Sequence, residues 1–420
     1  MEMDVEQVVT DDGVTVVTQR IRSVRSVAIG AWMTVGSRDE APDEHGCSHF
    51  LEHLLFKGTA KRSARGLAEE FDAIGGDLNA FTTRELTCFH ARVLDRDLPL
   101  AVDVLGDMLS TATNADIDVE AERQVVLSEL DIHNDTPEDL VGTALVGQVV
   151  GDDPLARDAL GTVASVTAMT RDRIHDFYTR WYRPGATVVA AAGNLDHDEV
   201  RGLVAEHLGD LGRPDGERPV RTPPALVEQP TASLLHRPTE QVHVVIGGRG
   251  VTLSDGRRAA LGVLDTVLGS GMSSRLFQAV REDRGLGYST YSWAYSWSDC
   301  GMWGVYGGVV PGRYDELVEV LVAELDRLPD TLTEAEVERA RGNLQGAVVL
   351  GGEDVGSRMS RLGRWVTAGL PVLDTDAVLR RIADVTLNDV RALAEELLAG
   401  PRHLAAVGPL KRSELAVLDD

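Results

Sequence analysis

At 420 residues, 43% of them hydrophobic, the chain is too long for one ordinary core and carries enough apolar material for two domains. Its 41 Lys and Arg against 67 Asp and Glu give a formal net charge of −26, an acidic surface that argues against nucleic acid and membrane as partners. Three widely spaced cysteines (Cys47, Cys88, Cys300), no signal-like start in Met1-Glu2-Met3-Asp4, and no apolar run of membrane-spanning length lead us to expect a soluble cytoplasmic protein.

Apolar alternation over 13–17 and again over 27–35 predicts strands, and helical periodicity takes over from about Gly46. The first motif that carries chemistry sits on that helix, His49-Phe50-Leu51-Glu52-His53. Residues four apart on a helix stand one above the other, so His49 and His53 can offer two imidazoles to one ion with Glu52 on the same face. Phe50, Leu51, Leu54 and Leu55 supply a separate apolar stripe for packing. Two histidines and one carboxylate leave a coordination position open for water, the pattern of a catalytic zinc rather than a structural one.

A third ligand must come from elsewhere, and a predicted helix over 122–130 offers Glu122 and Glu129 at i and i+7, on one stripe with Val125 and Val126. An acid facing a core is costly unless it is paired or bound to metal. Ligation is favoured for Glu129, with pairing to Arg123 or another base the alternative for either acid.

Between 212 and 230 the chain turns rich in proline and poor in apolar periodicity, which reads as a linker. Beyond it the first half recurs. Val102-Asp103-Val104-Leu105 returns as Val318-Glu319-Val320-Leu321 and Glu120-Ala121-Glu122-Arg123 as Glu336-Val337-Glu338-Arg339, both 216 residues on. Thr170 and Ile174 return as Thr386 and Val390, and the segment after Tyr288 is longer than its counterpart after Asn79. We therefore expect an α+β fold of two duplicated α/β modules, each a mixed, mostly antiparallel sheet packed with helices. The boundaries are a catalytic module over 1–212, a linker over 213–230 and a module without metal over 231–420. No His lies between His243 and His403, and the position 216 beyond Glu129 is Gln345, so one zinc per chain is expected.

The run His49 to Thr59, followed by Gly75-Gly76-Asp77-Leu78-Asn79-Ala80-Phe81-Thr82, resembles the pitrilysin family of inverted-motif zinc peptidases, with the catalytic subunit of mitochondrial processing peptidase and its bacterial relatives nearest in pattern. The resemblance spans essentially the whole chain. It implies Glu129 as the third zinc ligand, Glu122 as a supporting acid of the catalytic site, and Glu52 as the general base. Asn79, Ala80 and Phe81 match the family's strand edge, where extended substrate adds as a further strand, and Arg281 and Tyr288 match a pair that binds substrate backbone. Longer relatives join four such modules into a clamshell around a chamber. Two modules here imply a dimer, of identical chains or with a related chain, in which Arg281 and Tyr288 complete a neighbour's site. Peptides or unfolded segments are the implied substrates. A noncatalytic structural or peptide-presenting subunit is the alternative function, and the complete ligand set with Glu52 argues against it.

Overall fold

A computed structural model describes residues 5–209, 211 and 218–415. The first half runs β1 (Val5–Val9), β2 (Thr15–Arg20), β3 (Ser26–Met33), α1 (Cys47–Leu55), α2 (Ala64–Ile74), β4 (Asp77–Thr82), β5 (Thr87–Leu94), α3 (Leu98–Thr111), α4 (Asp116–Asn134), α5 (Pro137–Val150), α6 (Val163–Ala168), α7 (Arg171–Trp181), β6 (Thr187–Gly193) and α8 (His197–Leu208). The second runs β7 (Ala232–His236), β8 (Val242–Arg249), α9 (Arg258–Leu268), a π-helical turn (Phe277–Glu282), β9 (Thr290–Ser296), β10 (Gly301–Val309), α10 (Tyr314–Thr331), α11 (Glu334–Gly351), α12 (Val355–Thr367), α13 (Thr375–Ala383), α14 (Leu387–Leu398) and β11 (His403–Gly408).

The strands form a six-stranded sheet, β1-β2-β6-β3-β5-β4, and a five-stranded one, β7-β11-β8-β10-β9, which repeats the order of the first without a counterpart of β1. In each, one parallel pair, β2 with β6 and β7 with β11, sits in an otherwise antiparallel ladder. The α+β duplication is thus real, and its sequence signals have physical counterparts. Thr170 and Thr386 both cap helices, accepting from Arg173 N and Asp389 N, while Ile174 and Val390 below them are fully buried. The longer segment after Tyr288 is spent in the hairpin, whose strands have 7 and 9 residues against 6 and 8 in the first sheet.

The packing units do not follow the linear order. One consists of Met1–Asp131, Arg157–Arg221 and Leu350–Asp374, the other of Ile132–Ala156, Thr222–Val349 and Thr375–Asp420. The change at Arg221 to Thr222 falls inside the expected linker, but each unit also takes a helix from the other half of the sequence. Helix α12 lays Val355, Met359 and Leu362 over Trp32, Cys88 and Val188 of the first sheet. Helix α5 lays Val141, Leu145 and Val149 over Val245, Met302 and Tyr306 of the second. A division at 212–230 alone misses this exchange, because amphipathic periodicity marks a helix as packed without saying which sheet it covers. Residues 213–217 of the expected linker, Gly212, and the module ends at 1–4 and 416–420 lie outside the described residues.

Candidate metal centre

Helix α1 starts at a residue that must be glycine. Gly46 has φ +91°, and a Cβ there would stand 3.0 Å from the Cα of Gly161. The first turn is capped from a distance by Glu40, a buried acid that accepts from Gly46 N at 2.8 Å and Ser48 N at 2.7 Å. Phe50, Leu51, Leu54 and Leu55 are all fully buried, each contributing about 2 kcal/mol of transfer free energy. That apolar stripe fixes the rotation of α1, so His49, Glu52 and His53 emerge together on the other face.

The histidines meet Glu129 of α4 there. His49 Nε2 and His53 Nε2 are 3.3 Å apart, and each lies 3.4 Å from Glu129 Oε2. These are the edges of one face of a tetrahedron with bonds of about 2.05 Å, the size zinc requires. His49, His53 and Glu129 also form the one group of metal-ligating side chains of this kind among the described residues. The donor set and its spacing fit a zinc ion with a free fourth position. Burial, and then the neighbouring His53, push the His49 imidazole down to about 4, which keeps its nitrogen lone pair available near neutral pH.

Glu52 stands beside this triangle. Its Oε2 accepts from the Thr82 hydroxyl at 2.5 Å, and burial lifts its carboxyl above the usual range against the pull of that hydrogen bond. Glu122 has two partners here: Oε2 is 3.1 Å from His53 Nδ1 and Oε1 is 2.5 Å from Lys57 Nζ. A proton on Nδ1 donated to Glu122 leaves Nε2 as the lone-pair nitrogen facing the other ligand atoms. Glu122 thus meets His53 on its Nδ1 side, away from the triangle of Nε2, Nε2 and Oε2 atoms. The expected stripe needs one correction. Val126 is fully buried beneath the acids, but Val125 is 41% exposed and turned away from the core. Arg123 is engaged with Glu120 and with the carbonyls of Val166 and Met169, not with either site acid.

Thr82 ends β4, which carries Asn79, Ala80 and Phe81. This strand is the edge of its sheet, pairing with β5 through Asn79↔His90, Ala80↔Phe89 and Phe81↔Cys88. It has no second neighbour among the described residues, and the Asn79 side chain accepts the Ala80 N–H at 2.8 Å. In the other unit, Arg281 lies in the π-helical turn with its guanidinium 4.8 Å from the Phe277 ring centre and 4.4 Å from that of Tyr288. Tyr288 is 78% exposed and precedes β9 rather than lying in a strand, so the two residues seven apart meet through a turn.

Reading the sequence missed Glu40, Lys57 and Thr82. Glu40 precedes the helix by a loop whose path no local pattern reveals. Lys57, four residues past His53, was open to the i, i+4 rule once the helix was drawn on by a turn.

A two-histidine, one-carboxylate cluster with a further acid beside it, on a duplicated α+β chain, defines a site of the zinc-peptidase class. Residues 15–163 match the family described as "Insulinase (Peptidase family M16)" and residues 168–344 match "Peptidase M16 inactive domain". An uncharacterized zinc protease of Streptomyces coelicolor is 45% identical over 97% of this chain and 90% of its own length. The uncharacterized zinc protease YmxG of Bacillus subtilis is 36% identical over 95% of this chain and 97% of its own. The chain belongs to peptidase family M16, the pitrilysin-type zinc peptidases. In fold it is similar to a protease from Helicobacter pylori, with a TM-score of 0.90 at 20% identity over 97% of this chain and 100% of that one. His49, Glu52, His53 and Glu129 all fall within 15–163, outside the stretch that matches the inactive domain. Among the described residues no helix is long and apolar enough to cross a membrane.

Proposed function

We propose that this protein is a zinc-dependent endopeptidase that cleaves peptides or unfolded segments, with one ion per chain held by His49, His53 and Glu129. The observation that carries the reading is the 3.3–3.4 Å triangle of Nε2, Nε2 and Oε2 atoms with the Glu52 carboxyl beside it. A zinc ion held there supplies Lewis acidity to the scissile carbonyl and the attacking water. The chain's own residues do the rest. Glu52 takes the water's proton and returns it to the leaving amine, with Thr82 holding the carboxylate in place. Glu122 keeps the proton of His53 on Nδ1. An extended substrate adds to the free edge of β4 at Asn79 to Phe81, through main-chain hydrogen bonds once Asn79 releases the Ala80 N–H.

In the same reading Arg281 and Tyr288 hold substrate backbone, and the working form is a clamshell dimer of identical chains or with a related chain. Mixing Glu52→Gln chains with Arg281→Ala chains tests whether that pair completes a neighbour's site: partial recovery of activity is expected, and none would contradict it. The free and buried state of Cys47, Cys88 and Cys300 suits a reducing cytoplasm. The function itself is tested by exposing a mixed peptide library to the full chain and reading the products by mass spectrometry, with and without chelator. Cuts that vanish with chelator and return with zinc are expected, whereas a library left intact with zinc present would refute the assignment.

A further inference from the structure

Glu122 is one of the deepest acids near the site, its side chain 5% exposed, and its two oxygens have separate partners. Oε2 faces His53 Nδ1 at 3.1 Å, and Oε1 faces Lys57 Nζ at 2.5 Å. No other hydrogen bond or ion pair to this carboxyl occurs among the described residues. A carboxylate so far from water is tolerated only when its charge and lone pairs are matched. One N–H from His53 matches a single oxygen. The charge and the other oxygen fall to Lys57.

Lys57 stands four residues past His53, just beyond the end of α1, so one short segment sends both groups to the same carboxylate. We infer that Lys57 is a positioning residue of the metal centre: its ammonium anchors Glu122 Oε1 so that Oε2 stays aimed at His53 Nδ1, which holds His53 Nε2 in the ligand triangle. The inference rests on the metallopeptidase reading above. It singles out one of the two histidines, because His49 Nδ1 has no hydrogen-bond partner among the described residues. Outer control of imidazole orientation thus enters through His53, along the line Lys57, Glu122, His53. An ordinary surface pair would do no such work, since exposed ion pairs are weak and easily rearranged. Here the lysine is 35% exposed but its partner is buried and already committed to a proposed ligand.

The test is a double-mutant cycle on the full chain, with zinc affinity measured by competition against a chromophoric chelator. Lys57→Met is expected to weaken zinc binding about tenfold, the scale on which outer partners of metal ligands act. Lys57→Arg, which keeps the charge, is expected to stay within about threefold of the wild type. In a Glu122→Gln background, Lys57→Met should change affinity less than about twofold, because the group it acts through carries no charge to anchor. The Glu122→Gln chains also keep the cycle readable if Lys57→Met alone folds poorly, as they bury no carboxylate. Unchanged affinity in Lys57→Met, or an equal tenfold loss with Glu122→Gln already present, would overturn the inference. A wild-type chain that binds no zinc would instead overturn the metal reading, and this inference with it.

Discussion

The two sheets share the order of five strands and each receives a helix from the other half of the sequence, yet their polar residues have little in common. In the first unit α1 brings His49, Glu52 and His53 to Glu129. In the second, α9 has no histidine, and its half-buried Asp265 accepts the hydroxyls of Ser292 and Ser270. Gln345, 216 residues after Glu129, donates to the Leu379 carbonyl as an ordinary structural amide. The difference teaches that the architecture is held by apolar faces common to both copies, whereas the candidate chemistry rests on a handful of polar side chains that one copy lacks at no cost to the fold. The helix exchange, by contrast, is accommodated alike on the strand side: a Cβ on Gly30 of β3 would stand 2.7 Å from Met359 of α12, and one on Gly247 of β8 2.7 Å from Leu145 of α5, while α12 adds Gly363, where a Cβ would overlap the Trp32 ring.

The contrast can be broken most severely at the ligands. His53→Ala is expected to abolish zinc binding, read as metal content after dialysis, while Asp265→Ala leaves the content unchanged. Equal loss from both would erase the distinction between the units. Next in size, Glu122→Gln is expected to lower zinc affinity by about 10- to 100-fold through His53, seen in chelator competition.

Gly363→Ala and Gly247→Ala probe the shared architecture rather than the chemistry. Each is expected to cost about 1–3 kcal/mol by overpacking and to lower the melting temperature, with zinc still bound. Glu40→Ala removes the acceptor of two buried N–H groups at the start of α1, and a cost of about 1–2 kcal/mol in thermal unfolding is expected. The smallest effect belongs to Gln345→Ala, below about 1 kcal/mol and without change in zinc content. A large effect on metal there would mean that the second unit is more than a scaffold.

Much of this was legible in the sequence because it depends on short-range periodicity. The i, i+4 spacing of His49 and His53 and the apolar stripe of Phe50, Leu51, Leu54 and Leu55 are properties of one helix, and they survive unchanged in the fold. The pairing of Glu122 and Glu129 on α4 was half legible. Their spacing put them on one face, but Val125 was assigned to that face wrongly, since a 19-residue helix with weak amphipathicity does not declare its buried side sharply. The exchange of α5 and α12 and the capping of α1 by Glu40 depend on long-range packing or on a loop's path. Neither leaves a periodic trace, so the sequence offered no handle on them beyond residue type.

The central claim is that a single zinc in the first unit works with Glu52 as its base. It is tested most directly by native mass spectrometry of wild-type and Glu52→Gln chains, with peptide turnover measured on the same samples. One zinc ion in each chain, and turnover in the wild type alone with a loss of at least about a hundredfold in the variant, is the predicted result. Undiminished turnover by Glu52→Gln, or a wild-type chain that carries two zinc ions or none, would contradict it.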